Sequence, residues 1–451
     1  MSVLSKLTET LQFGQPNLHT TCAESFHTWQ HDCTKAWMEA VPTSLIFSLR
    51  TYATVYLASA LLSSKGNVKK IEWKKLIINV TRSATFLTVN LILYFSLLCY
   101  IRRAVGFFSV ANIGYANGVL SSLLAIFIEK KARRSALALY LTNQASETVF
   151  RQLVNHGYLR LIPGGTFIPF SIGLALFKFL DARGSLDKGL KGAISFALQD
   201  SPKSPNAVVQ GYGRKIAERM PETYQKFIQR LKTECSKTDK CDHDHSCVYN
   251  VIKKSTHNFT LGLGVSSALA IMGNLAKIVR SPTNIFQVLL SRNNLRMPIF
   301  FGLIPLIFNS LRCLLHRLPF PVSGTLTDVV SALAAGAAMT AFPNISIAMF
   351  TMWKAIEALY GDLVNKGYLR WYKNGDALLY AISTGYVLGC LAFEPHAIRS
   401  GYVHFLEKLT GNRIKFFNRH HFDYFGAQSS KLYGVPSIDY FPGHEDLKKI
   451  F

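Results

Sequence analysis

The chain has 451 residues, 49% of them hydrophobic and only 17% charged, with a mean hydropathy of +0.18. Its 50 Lys and Arg against 26 Asp and Glu leave a net charge of +24, a balance that suits nucleic acid or an anionic membrane surface. The placement of charge excludes nucleic acid. The basic residues stand in short bursts between long apolar runs, as in loops that flank membrane spans, rather than clustered on one polar face.

Residues 1–43 form a polar N-terminal segment, and no cleavable signal peptide opens it. Within it, CAESFHTWQHDC offers Cys22, His27, His31 and Cys33 at close spacing. Thiolates and imidazoles so placed suit Zn²⁺; the alternative is a solvated segment.

Apolar runs long enough to cross a bilayer, about 20 residues each, follow at 44–64, 76–100, 105–128, 135–154 and 161–180. A second series stands at 259–278, 297–315, 319–342, 345–364 and 376–393. Basic bursts punctuate the first series: KGNVKKIEWKK (65–75), YIRR (100–103) and EKKARR (129–134). The fold class is therefore all-α, a polytopic helical membrane protein with the bilayer as its first partner and oligomers open to it.

The two series are related. LVNHGYLR (153–160) returns as LVNKGYLR (363–370), and at the same offset 14 of 42 positions agree between 119–160 and 329–370. This predicts two homologous repeats, 44–181 and 254–394, joined by a basic Cys-rich linker at 182–253 and followed by a polar tail at 395–451. The counterpart of EKKARR is MTAFPN, with no basic residue. An inverted second half removes the need for charge there, which favours five spans plus five. Four plus four, with 135–154 and 345–364 lying flat in the interface, is the alternative. Gly157 and Gly367 suit the left-handed residue that ends a helix, and Tyr158 and Tyr368 suit the headgroup level.

Small residues recur at helical spacing in the third span of each half: Gly114, Gly118, Ser121 and Ala125, then Gly324, Ser331 and Ala335. Such faces let helix backbones approach closely in lipid. Glu147 and Glu357 are matched carboxylates in apolar context, and Arg82, Arg312 and Asp328 are further polar groups there. A charge in the bilayer persists when paired or when it lines a polar cavity. Arg151 and Lys354 stand one turn from Glu147 and Glu357, so local ion pairs are available.

The linker holds CSKTDKCDHDHSC, in which Cys235, Cys241, His243, His245 and Cys247 supply five ligands suited to Zn²⁺ in thirteen residues. A solvated or redox-sensitive loop is the other reading. Cys99, Cys313 and Cys390 lie in apolar runs and read as small buried hydrophobes. No phosphate-binding loop, Ser-His-Asp spacing or HExxH motif is present.

SFHTWQHDC (25–33), LRTYATVYLASALL (49–62), SATFLTVN (83–90), IEKKARRSALALYLTNQASETVFR (128–151) and DYFGAQSSK (423–431) resemble the transmembrane protein 135 family, also called peroxisomal membrane protein 52. The resemblance implies a multi-pass protein of peroxisomal and mitochondrial membranes. It implies a part in the balance of mitochondrial fission and fusion, in peroxisome organisation and in lipid metabolism, with no catalytic residues. Two mechanisms fit it. One is a scaffold whose basic linker recruits cytosolic fission machinery. The other is a transporter or channel for a lipid-related or small anionic solute, working through Glu147 and Glu357.

Overall fold

The computed structural model describes residues 17–64, 66–160, 162, 164–200, 229–230, 232–233, 238, 241, 243, 246–274, 280–281, 284–317, 323–427 and 429–433. These residues are helical and contain no β-strand, only an isolated bridge between Leu18 and Phe108.

In chain order the helices are α1 (Cys22–Ser25), α2 (Cys33–Ser63), α3 (Trp73–Val105), α4 (Ala116–Ala125), α5 (Lys131–Asn155), α6 (Phe167–Ala182) and α7 (Lys188–Leu198). Beyond the linker come α8 (Cys247–Gly273), α9 (Asn284–Leu289), α10 (Arg292–Leu315), α11 (Gly324–Ala335), α12 (Ile345–Asn365) and α13 (Gly375–Phe393). The tail adds α14 (Ser400–Leu409), α15 (Arg419–Asp423) and α16 (Ser429–Tyr433). Among the described residues, four helical segments are long and apolar enough to cross a membrane: Trp73–Val105, Ala111–Ile128, Arg292–Leu315 and Gly375–Phe393. They coincide with four of the ten apolar runs in the sequence.

Two compact units divide the chain, Met1–Leu161 with Tyr372–Phe451, and Ile162–Trp371. In the first, α2 packs on α3, α3 on α4, and α13 lies against both α4 and α5. Its core gathers around Phe26, whose ring centroid stands 5.1 Å from Phe108 and 5.2 Å from both Phe417 and Phe422. Arg419 is fully buried there. Its guanidinium donates to the carbonyls of Leu391 and Ala392 at 3.1 and 3.0 Å, and to Ser429 Oγ at 2.9 Å. A helix leaves its last carbonyls unbonded, and this cation satisfies two of them at the end of α13, where the helix dipole favours positive charge.

In the second unit, α8 packs on α10, α10 on α11, and α6 lies against both α11 and α12. Buried Phe170, Phe177, Phe300 and Phe308 form its core with small residues from α11 and α12.

The repeated octapeptide ends a helix in both units by the same bonds. Tyr158 N donates to Leu153 O at 2.8 Å and Gly157 N to Val154 O at 3.0 Å; Tyr368 N donates to Leu363 O at 2.9 Å and Gly367 N to Val364 O at 3.0 Å. Gly157 and Gly367 take φ of +75° and +79°. This pair of bonds closing on a left-handed residue is the Schellman stop, where glycine carries no Cβ penalty.

Candidate metal centres

Among the described residues, each unit contains one cluster of three cysteines and one histidine, and in each the side-chain N and S atoms all lie within 4.8 Å of one another. Four ligands at about 2.3 Å from a tetrahedral Zn²⁺ stand about 3.8 Å apart, so a small contraction brings either cluster to coordination distance.

In the first unit the cluster is Cys22, His27, Cys33 and Cys99. Local hydrogen bonds set each ligand. Thr21 caps α1 in a capping box with Glu24, which presents Cys22 on the first turn. Arg102 near the end of α3 donates to the carbonyls of His19 and Thr20 at 3.0 Å, tying this segment to the helix that carries Cys99. Asp32 Oδ1 accepts from Thr34 N at 2.7 Å and so starts α2 at Cys33, whose thiol is raised above its ordinary value by burial. His27 Nδ1 lies 2.6 Å from the carbonyl oxygen of Gln30, and its Nε2 is buried with no hydrogen-bond partner. A ring whose Nδ1 donates to a backbone carbonyl carries its lone pair on Nε2, the arrangement of a histidine metal ligand. The hydrogen bond from Cys99 holds the Cys22 thiol down to about 5, against the opposing effect of burial.

In the second unit the cluster is Cys241, His243, Cys247 and Cys313. Ser246 caps α8 by accepting from Tyr249 N at 3.2 Å, and so places Cys247 on its first turn. His243 Nε2 stands 3.6 Å from Cys313 Sγ, and Arg317 Nη2 lies 3.7 Å from Cys247 Sγ. Burial raises the Cys241 thiol, but hydrogen bonding by Thr238, whose Oγ1 is 3.2 Å away, outweighs it and the net shift is downward. Cys241, Cys247 and Cys313 are all buried.

The structure thus brings together Cys22, His27 and Cys33, and separately Cys241, His243 and Cys247; Cys235 and His245 lie outside the described residues. It adds Cys99 and Cys313, which the sequence presents as small apolar fillers. Each sits on the second long helix of its unit, beside the start of the first. One sequence signal marks them. Cys33 and Cys99 are 66 residues apart, and so are Cys247 and Cys313.

Glu147, Glu357, Arg312 and Asp328 are ion-paired. Glu147 is 2% exposed, and its Oε1 lies 2.5 Å from Arg151 Nη2; Glu357 pairs with Lys354. Arg312 Nε meets Asp328 Oδ1 at 2.9 Å, and Asp328 also lies 3.7 Å from Lys178 Nζ. Arg82 is half-buried on α3. Among the small residues, Gly114 and Gly118 abut α13, and Ser121 and Ala125 are buried; Ser331 and Ala335 are buried on α11. Gly324 differs: it opens α11 with no atom within 4 Å of where a Cβ would stand.

No solved structure matches the chain. The family model for the N-terminal cysteine-rich region of Transmembrane protein 135 matches residues 19–154. With several helices apolar enough to span a bilayer, the match makes this a multi-pass membrane protein. Over the matched stretch, which holds all four residues of the first cluster, the chain is similar to the cysteine-rich region of the transmembrane protein 135 family.

Proposed function

We propose that this protein is a multi-pass component of peroxisomal and mitochondrial membranes that regulates the balance of mitochondrial fission and fusion, peroxisome organisation and lipid metabolism. The match of residues 19–154 to the cysteine-rich region carries this reading. It acts as a scaffold rather than as an enzyme, and its basic linker recruits cytosolic fission machinery. The pairing of Glu147 and Glu357 with cations on their own helices supports a scaffold over a transporter, because neither carboxylate is left to a solute.

The membrane part is a duplication of five helices plus five. Its support is the correspondence of elements at an offset of 210 residues: Lys131–Asn155 with Ile345–Asn365, Ala116–Ala125 with Gly324–Ala335, and the two identical helix stops. On this reading the halves exchange their fifth helices, since α13 packs on α4 and α5 while α6 packs on α11 and α12. Zn²⁺ is the ion of the two Cys₃His clusters, because three thiols and one imidazole match its preference.

Tagged protein should remain in peroxisomal and mitochondrial membranes after carbonate extraction. Deleting residues 201–228 should change mitochondrial length without moving it. Unchanged mitochondria, with the protein correctly placed, would overturn the scaffold.

A further inference from the structure

The first cluster follows the order Cys, His, Cys, Cys, and so does the second. In each, one cysteine and the histidine precede the first long helix, the next cysteine opens that helix, and the last lies near the far end of the second long helix. The helix-borne pairs are both 66 residues apart. The two units keep the same four chemical types in the same places. Apolar packing does not require this, since any small hydrophobe fills the same space. Cys390 shows what a packing cysteine looks like here: it is fully buried in α13 and belongs to neither cluster.

His27 supplies the second observation. An imidazole nitrogen buried without a hydrogen bond is costly, and it is relieved when Nε2 binds a cation among the three sulfurs. Its Nδ1 contact with Gln30 O fixes the tautomer that makes this available.

We propose that Cys99 and Cys313 are the fourth ligands of two Zn²⁺ centres, each fastening the segment ahead of the first long helix of its unit to the far end of the second. The inference rests on the zinc reading above and extends it to helix residues that would otherwise count as core. On binding, the ligand thiols that still carry protons release them to solvent and the sulfurs donate lone pairs to the metal; nothing is oxidised. The ends of two long helices then share one metal instead of fraying separately. The Arg317 guanidinium at Cys247 offsets part of the negative charge of three thiolates and one Zn²⁺ in the second unit.

The test is metal content of the full chain, purified in detergent without chelator. Wild type should hold two Zn²⁺, Cys99→Ala one, Cys313→Ala one and the double variant none. Cys390→Ala should keep two. Cys99→His and Cys313→His should each keep two, because imidazole replaces thiolate as a ligand; this separates lost coordination from lost folding. Co²⁺ exchanged into wild type should give the intense visible bands of tetrahedral thiolate coordination, reduced by half in Cys99→Ala. Two Zn²⁺ retained in Cys99→Ala and Cys313→Ala would overturn the fourth-ligand assignment and leave the zinc reading standing. No Zn²⁺ in wild type, or Cys22–Cys99 recovered as a disulfide, would overturn the zinc reading itself.

Discussion

A Cβ placed on Gly114 would stand 2.6 Å from Gly389 Cα. One turn away, a Cβ on Gly118 would meet Gly385 Cα at 2.9 Å. The segment leading into α4 and helix α13 therefore cross backbone to backbone. Lipid supplies no hydrophobic drive between helices, so such contact rests on dispersion and backbone approach.

Adding a methyl group at this crossing must force the helices apart. Gly389→Ala puts a Cβ within 2.4 Å of the Tyr115 ring, and overpacking of this kind costs about 1–3 kcal/mol. The thermal midpoint of the detergent-solubilised protein should fall. Gly324→Ala, at an open helix start, should leave it unchanged or slightly higher. Equal midpoints for the two variants would show that the crossing is not tight.

Arg419 holds the last turn of α13. Arg419→Met removes the partner of two buried carbonyls, and a lost charged hydrogen-bonding group costs about 3 kcal/mol. Amide exchange at residues 388–393 should accelerate in this variant. Ser429→Ala removes one acceptor of the same guanidinium and should cost about 1 kcal/mol.

Glu147 and Arg151 separate by a cycle. Arg151→Ala leaves a nearly buried carboxylate without its main partner and should destabilise by about 1–3 kcal/mol. Glu147→Gln combined with Arg151→Ala should recover most of that loss, because the charge that needed a partner is gone. A double variant as unstable as Arg151→Ala would mean that the pair does not stabilise through charge.

His421 ties the C-terminal helices to the N-terminal segment, with Nδ1 3.0 Å from Ser25 Oγ. Burial lowers its pKa below the ordinary value. A base with a depressed folded pKa is held neutral, so the unfolded chain takes up the proton first as pH falls. Stability is full above about 6.5, the unfolded value, and declines as the pH drops through it towards the folded pKa. Protease cleavage within 410–433 should rise below that point, and His421→Gln should flatten the dependence. A pH profile identical in the variant would exclude His421 as the origin.

The helices were legible in the sequence because they follow from local rules. Four of the ten apolar runs coincide with described helices long and apolar enough to span a bilayer, and Gly157 and Gly367 marked helix ends, since only the residue at a left-handed stop gains from having no Cβ. The ion pairs of Glu147 and Glu357 were legible as well, because a partner one turn away on the same helix is set by the helical period alone. The N-terminal and linker candidate ligands Cys22, His27, Cys33, Cys241, His243 and Cys247 stood out for the same reason: they are close in sequence.

What the tertiary structure decided is every relationship that no local period encodes. Gly114 was visible as a small packing residue, but its partner Gly389 lies 275 positions away. Cys99 and Cys313 looked like core, because a thiol in an apolar run has the same pattern whether it packs or binds. Only the antiparallel return of the second long helix sets each sulfur beside the start of the first. Arg419 gave no signal in the tail, since the carbonyls it caps become neighbours only when α13 ends beneath it. Local propensity wrote the helices, and long-range packing chose which of their residues meet.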